Sequence, residues 1–279
     1  MPIIALSRSD IEKWVAWQRE QVVKKSNPPR LYSSKSIKNA QGILSSVLSY
    51  AVANKQVSEN VARGVKIPSD RVARQPAFLS PEQFESLARE MPERYRAFVT
   101  LLYATGMRFG EASALNAEAF DLAASPPTVR VFRAWKKGAR QRRYIGSPKS
   151  RKAIRTISLP AGIVSLIEPL VIEAQRSGGL VFHSGGGADR RLVESNFLEA
   201  FKRAVQRAGL PSATTPHDLR HSHASELIKN GVPLPVIQDR LGHESIQTTV
   251  DRYGHISRDS WLSAADVIGE ALKLGGVVR

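Results

Sequence analysis

Between residues 122 and 167 the chain carries no carboxylate, yet Arg130, Arg133, Lys136, Lys137, Arg140, Arg142, Arg143, Lys149, Arg151, Lys152 and Arg155 all fall inside that window. So dense a run of like charge finds no neutralising partner nearby in sequence. It must be a solvated surface, or face a polyanion. The window also reads as strands and turns. Residues 128–136 and 153–159 are the best strand candidates, with a Gly- and Arg-rich turn or intervening strand between them. That pattern fits a nucleic-acid face better than a membrane-lying amphipathic helix. The whole chain shares the bias: 41 Lys and Arg against 25 Asp and Glu give a formal charge of +16. Such an excess favours phosphate partners through counterion release.

Around the basic window the apolar period is helical. Residues 9–24 place Ile11, Trp14, Val15 and Val22 along one side, and Asn27-Pro28-Pro29 breaks that pattern. A second helix is expected over 34–54, from Ile37, Ile43, Leu44, Val47, Leu48 and Ala51, with a short third segment at 58–63. The basic, proline-bounded run 66–76 has no apolar period and reads as a linker. Ser80-Pro81-Glu82-Gln83 then restarts the chain with a cap, a proline at the first helical position and a capping-box glutamine. Helices are expected at 81–90, 93–105, 108–115, 160–175, 193–209, 216–230, 234–240, 246–252 and 259–273. The fold class is therefore mainly α with a small antiparallel sheet in a second, C-terminal domain. The expected divisions are a helical module at 1–66, a linker at 67–79, a catalytic-sized domain at 80–257 and a tail helix at 258–279. With 42% apolar residues and no apolar run of membrane-spanning length, no membrane partner is expected. No secretory leader is evident, and there are no cysteines, so a cytoplasmic setting is the default.

Three short motifs carry chemistry. Thr105-Gly106-Met107-Arg108-Phe109-Gly110-Glu111 puts an arginine at a helix start, where a planar guanidinium suits a phosphate. His217-Asp218-Leu219-Arg220 places an imidazole and a guanidinium three residues apart, on one side of a helix. Leu241-Gly242-His243 and then Arg252-Tyr253-Gly254-His255 add a second imidazole and a phenol. Breaking a phosphodiester without a metal needs a nucleophile, cations on the non-bridging oxygens and an acid for the leaving oxygen. A phenol whose free pKa is near 10 attacks only with such charge stabilisation. A zinc reading competes, since His217 and His221 are four apart with His223 close by. The pair lacks the intervening glutamate of zinc hydrolases, and Arg220 would repel a divalent cation. No metal or cofactor is expected.

These motifs resemble the tyrosine recombinase (phage integrase) family, over roughly residues 80–255. The resemblance implies a two-domain protein, in which a helical, SAM-like core-binding domain joins a DNA breaking-rejoining catalytic domain. It makes Tyr253 the nucleophile and Arg108 and Arg220 the phosphate clamps, with His217 in proton transfer and His243 a donor to the scissile phosphate. Ser147-Pro148-Lys149-Ser150, followed by Arg155-Thr156-Ile157-Ser158-Leu159-Pro160, resembles the family's lysine-bearing β-hairpin turn and makes Lys149 the acid at the leaving 5′ oxygen, with Lys152 and Lys137 as rivals. Glu111 would orient Arg108 or His217. Lys136, Lys137, Arg140, Arg142, Arg143, Arg151, Lys152, Lys35, Lys38, Arg71 and Arg74 are the expected DNA contacts. The implied activity is metal- and ATP-independent, site-specific strand transfer through a 3′-phosphotyrosine, integrating phage or mobile-element DNA. Its partners would be double-stranded core sites, three further copies of the chain on DNA and host or phage accessory factors. A monomer is expected in solution, within a bacterial cytoplasm. An Xer-like resolvase, a type IB topoisomerase-like enzyme and a non-catalytic regulator stay open. Nothing in the sequence resembles an arm-binding domain ahead of the helical module, which suggests a compact integrase or a truncated chain; Met1 favours a natural start. The tail, with Trp261, Leu262, Ala265, Val267, Ile268 and Leu272, is open to docking in cis or on a neighbouring subunit.

Overall fold

A computed structural model describes residues 2–24, 26, 29–69, 76–138, 142–148, 150–184 and 191–244. The chain divides into two units, residues 1–75 and 76–279. The expected helices at 246–252 and 259–273, the tail and its docking lie outside the described residues.

In the first unit, Ser7 caps α1 (Arg8–Glu20) in a reciprocal box with Asp10, and Ser33 caps α2 (Ser34–Ala53). Ile11, Val15, Ile37, Leu48, Ala62 and Val65 form the unit's core. Two expectations change here. The first helix ends at Glu20, and β-branched Val22 instead forms an antiparallel bridge with Leu31. Residues 58–63 form turns and not a helix. The Asn60 side chain takes over local bonding: Nδ2 donates to the Ser45 carbonyl, and Oδ1 accepts from the Ala62 backbone. Such side-chain bonds compete with a helical ladder.

In the second unit, α3 (Pro81–Glu90) starts with the expected Ser80–Gln83 capping box. Helix α4 (Glu93–Thr105) ends at Gly106, whose φ of 65° is left-handed, and α5 spans only Phe109–Ala112. Among the described residues, five strands follow in two antiparallel sheets: β1 (Phe120–Asp121), β2 (Thr128–Val131) and β5 (Arg155–Ser158) in order β1-β2-β5, and a separate hairpin of β3 (Ala134–Lys137) with β4 (Arg143–Gly146). The single strand expected at 128–136 is thus broken after Val131. Arg133 turns away to donate to the Ala114 carbonyl at 2.7 Å, and Trp135 Nε1 donates to the Ser113 carbonyl at 3.1 Å. These bonds draw the hairpin across α5, away from the three-stranded sheet.

Helices α6 (Ala161–Ser177), α7 (Glu194–Arg207), α8 (Pro216–Lys229) and α9 (Leu234–Leu241) complete the described fold. The core holds Val129, Val131 and Ile157 from the sheet, and the aromatic cluster Tyr95, Phe98, Phe182, Phe197 and Phe201 from the helices and the 181–182 segment. Phe98 meets Phe109, Phe182 and Phe197 edge-on at 5.1–5.2 Å, so the aromatic core anchors α5 directly. Among the described residues, no helix is long and apolar enough to cross a membrane.

Candidate active site

Helix α8 is the spine of the site. Thr215 caps it and Pro216 opens it. The fully buried Asp218 accepts from the Thr215 backbone N–H and hydroxyl through Oδ2, at 2.7 and 2.8 Å. Its Oδ1 accepts from the Ala77 backbone, and Ser222 Oγ accepts from the Leu79 backbone at 2.8 Å. Residues 76–79, expected as the end of a linker, are therefore fastened to α8.

Two residues beyond Asp218, Arg220 is 2% exposed. It donates to the Gly106 carbonyl at 2.6 Å and to the Leu241 carbonyl at 2.7 Å. One guanidinium thereby joins the arginine-box turn, α8 and the Leu241-Gly242-His243 turn. The close approach demands glycine at both turns. A Cβ on Gly106 would stand 2.7 Å from Leu241 Cδ2 and 2.8 Å from His223 Cδ2, and Gly242 (φ 65°) would meet Arg155 at 2.9 Å. His243, at the end of this frame, is buried. His217 is exposed, with its ring edge-on to His221 at 4.7 Å.

Arg108 caps α5 and is part-exposed. Its guanidinium donates to Glu111 Oε1 at 2.7 Å and its backbone N–H to Oε2 at 3.0 Å. Glu111, expected to orient Arg108 or His217, takes Arg108 and a second arginine to which the resemblance gave no role. Arg155 NH2 donates to Oε2 at 2.9 Å, with both side chains about 5% exposed or less. Burial would raise the Glu111 pKa, but Arg155 and Arg108 outweigh it and hold the carboxyl below its usual range.

Arg240, also outside the expected set, donates through Nε to His223 Nε2 at 3.1 Å and through NH2 to the Ala104 and Ser158 carbonyls. Burial, then the charges of Arg240 and Arg220, push the His223 pKa down to about 3. This ring is a neutral acceptor packed inside the site's frame. The sequence held one signal for Arg155. In β5 the exposure alternates, and Arg155 shares the inward register of Ile157, where an apolar residue is the rule. No comparable signal marks Arg240, because its partners come from α4, α8 and β5.

A groove of about 710 Å³ opens beside Arg108, lined by Glu111, Lys136, Lys137, Tyr144, Ser150 and Gly242 among others. A cleft of about 200 Å³ has both Arg108 and His217 in its wall, with Thr215 and Glu194. Lys152 and Arg142 are exposed. Arg143, expected on DNA, pairs with the part-exposed Glu194 at 2.5 Å. Lys35 and Lys38 lie exposed on α2 of the first unit, Lys38 beside a pocket with Gln41 and Lys66. Lys149, Tyr253, Arg140, Arg71, Arg74 and the Arg151 side chain lie outside the described residues.

Residues 77–259 match the phage integrase family model, and the chain belongs to that family. It is 27% identical over 265 residues to the tyrosine recombinase XerC-like protein of Caldanaerobacter subterraneus subsp. tengcongensis, covering 85% of this chain and 66% of that one. It is 29% identical over 254 residues to the ICEBs1 integrase of Bacillus subtilis, covering 86% and 67%. The chain thus spans about two thirds of the length of these relatives. Among solved structures, the Tn1549 transposon integrase in complex with a circular intermediate DNA shares the fold, with a TM-score of 0.78 and 20% identity over 96% of this chain and 87% of that one.

Proposed function

We propose that this chain is a site-specific DNA recombinase that cuts and rejoins DNA through a 3′-phosphotyrosyl intermediate at Tyr253. The observation that carries this reading is the Arg220 guanidinium, which pulls the Gly106 turn and the Leu241 turn onto α8 and so gathers Arg108 and His243 from distant parts of the sequence. The family membership and the basic groove beside Arg108 support it.

In the proposed reaction, Arg108 and Arg220 bind the non-bridging oxygens as charge builds on the phosphorane-like transition state. His243 donates a hydrogen bond to the same phosphate, and His217 takes the phenolic proton. Tyr253 attacks phosphorus, forming the tyrosyl phosphate, and the P–O5′ bond breaks. Lys149 gives its proton to the departing 5′ oxygen. The 5′ hydroxyl of a partner strand then attacks the tyrosyl phosphate and frees Tyr253. One phosphodiester is exchanged for another, so neither hydrolysis nor a nucleotide is required. Pairwise exchange fits four copies of the chain on two core sites in the cytoplasm of a bacterial host. Lys136, Lys137, Arg142 and Lys152 would contact the duplex in the second unit, and Lys35 and Lys38 in the first.

The test uses a pool of duplexes randomised at the centre and nicked so that the short cleaved fragment diffuses away. The wild-type chain should accumulate a covalent protein–DNA adduct that Tyr253→Phe does not form. Strand exchange between two selected duplexes identifies a recombinase. Relaxation of a supercoiled plasmid without exchange would replace that reading with a topoisomerase, and failure of both would leave a DNA-binding regulator.

A further inference from the structure

The resemblance gives Arg155 no role, yet its guanidinium ties together three segments of the second unit. It is 8% exposed, and each edge of its guanidinium faces a different segment. NH2 donates to Glu111 Oε2 at 2.9 Å, on the carboxylate that grips Arg108 from side chain and backbone. NH1 donates to the Ala153 carbonyl at 3.0 Å. Nε donates to the Arg240 carbonyl at 2.7 Å, just ahead of the turn that presents His243. The fit around it is tight, since a Cβ on Gly242 would press on Arg155 NH1 at 2.9 Å, on Arg155 Cδ at 3.2 Å and on Ala153 Cα at 3.2 Å. A planar donor with a rigid fork can serve these three acceptors at once, whereas an ammonium has no such fixed geometry.

We propose that Arg155 is a positioning residue of the recombination site: it sets Arg108, the Ala153 end of the β5 approach and the Gly242–His243 turn in one geometry, and it acts on the cleavage step more than on DNA binding. The surroundings favour this role over simple stabilisation of the fold. A buried ion pair is weak evidence for stability, because desolvation offsets most of its Coulombic gain. Here two of the three bonds go to backbone carbonyls at the edges of the site, and the third holds a carboxylate whose other oxygen is spent on Arg108. A displacement of about 1 Å at a reacting centre costs on the order of 100-fold in rate.

The inference rests on the functional reading above, and its test has two arms so that the two can fail separately. In the first, single-turnover adduct formation at saturating nicked duplex is compared with the Kd for the same duplex. Arg155→Lys should cleave about 100-fold more slowly, with its Kd within about threefold of wild type. Should that variant not fold, Arg155→Gln, which keeps a planar donor without the full fork and leaves Glu111 on Arg108, should show the same split. Unchanged cleavage at saturation, or a loss carried by Kd alone, overturns the proposal. The second arm needs no DNA: the Nε–H resonance of Arg108 in the free protein should shift and broaden in Arg155→Lys. An unmoved Arg108 signal overturns the positioning role even if cleavage falls. A wild-type chain that forms no adduct sinks the functional reading while leaving this second arm to judge Arg155.

Discussion

The buried arginines of the second unit and the basic residues of its β3–β4 hairpin behave as two different materials. Arg155 and Arg220 are almost fully enclosed, Arg240 is partly so, and all three spend donors on backbone carbonyls at segment ends. On the hairpin, Lys136 and Lys137 line an open groove and Arg142 is exposed, while Arg143 meets only a part-exposed glutamate. Each member of the buried set closes a loop geometry, so exchange for another cation is expected to disturb it. The exposed set contributes potential, and its members are individually replaceable. A basic stretch in a sequence therefore mixes framework with surface, and only burial separates them.

The largest expected effect falls on the framework. Arg220→Ala leaves the Gly106 and Leu241 carbonyls buried without their donor. At roughly 1–3 kcal/mol for each, it should lower thermal stability by several kcal/mol and abolish adduct formation. A melting curve unchanged by this substitution would break the distinction between the two sets. His223 comes next. Its folded pKa of about 3 lies below the ordinary 6.5, so the unfolded chain binds the extra proton first as pH falls. The neutral ring's contribution is thus fully present above about pH 6.5 and is lost progressively toward pH 3. His223→Gln should flatten that acid limb of the Tm–pH curve while changing Tm little at pH 8, and an unaltered limb would contradict the buried neutral ring. Gly242→Ala combines a positive φ with the 2.9 Å approach to Arg155, so about 1–3 kcal/mol of destabilisation is expected in chemical denaturation. The smallest effect on stability belongs to the groove. Lys136→Gln with Lys137→Gln should move stability by about 0.5 kcal/mol or less. The same pair should reduce the salt slope of DNA binding by about 0.9 for each phosphate that the variant no longer neutralises. An unchanged salt slope would remove these lysines from the interface.

Legibility in the sequence divides along the same line. Helix starts were plain wherever side chain and backbone bonded locally, as in the Ser80–Gln83 box, and the residues that flank Arg220's acceptors were visible as motifs. The extent of the strands was not. Residues 128–136 carry one continuous β pattern, and the break after Val131 depends on Arg133 and Trp135 reaching carbonyls of the 113–114 segment. Residues 58–63 misled for a related reason, because Asn60 bonds to α2 in preference to its own helical ladder. Within the site, Arg108, Glu111, His217, Arg220 and His243 stood out by motif. Arg155 stood in the run after the Lys149 turn without a role and Arg240 did not stand out at all, because the bonds to Glu111, to the Arg240 carbonyl and to the Ala104 carbonyl cross more than forty residues of chain. Arg143 also meets a carboxylate, Glu194, that lies outside the acid-free window.

The central claim concerns which phenol takes the phosphate, and two other tyrosines give it a meaningful contest. Tyr144 is half exposed in the groove that holds Arg108. Tyr103 lies beside the frame, but burial and then the charges of Glu226 and Glu82 push its phenol up to about 12, which makes it a poor nucleophile. The decisive measurement is peptide mapping by mass spectrometry of the covalent adduct after nuclease digestion. The account predicts a nucleotide 3′-phosphate on the tryptic peptide that begins at Tyr253, and on no other. A phosphoryl group on Tyr144, or on any residue other than Tyr253, would contradict it.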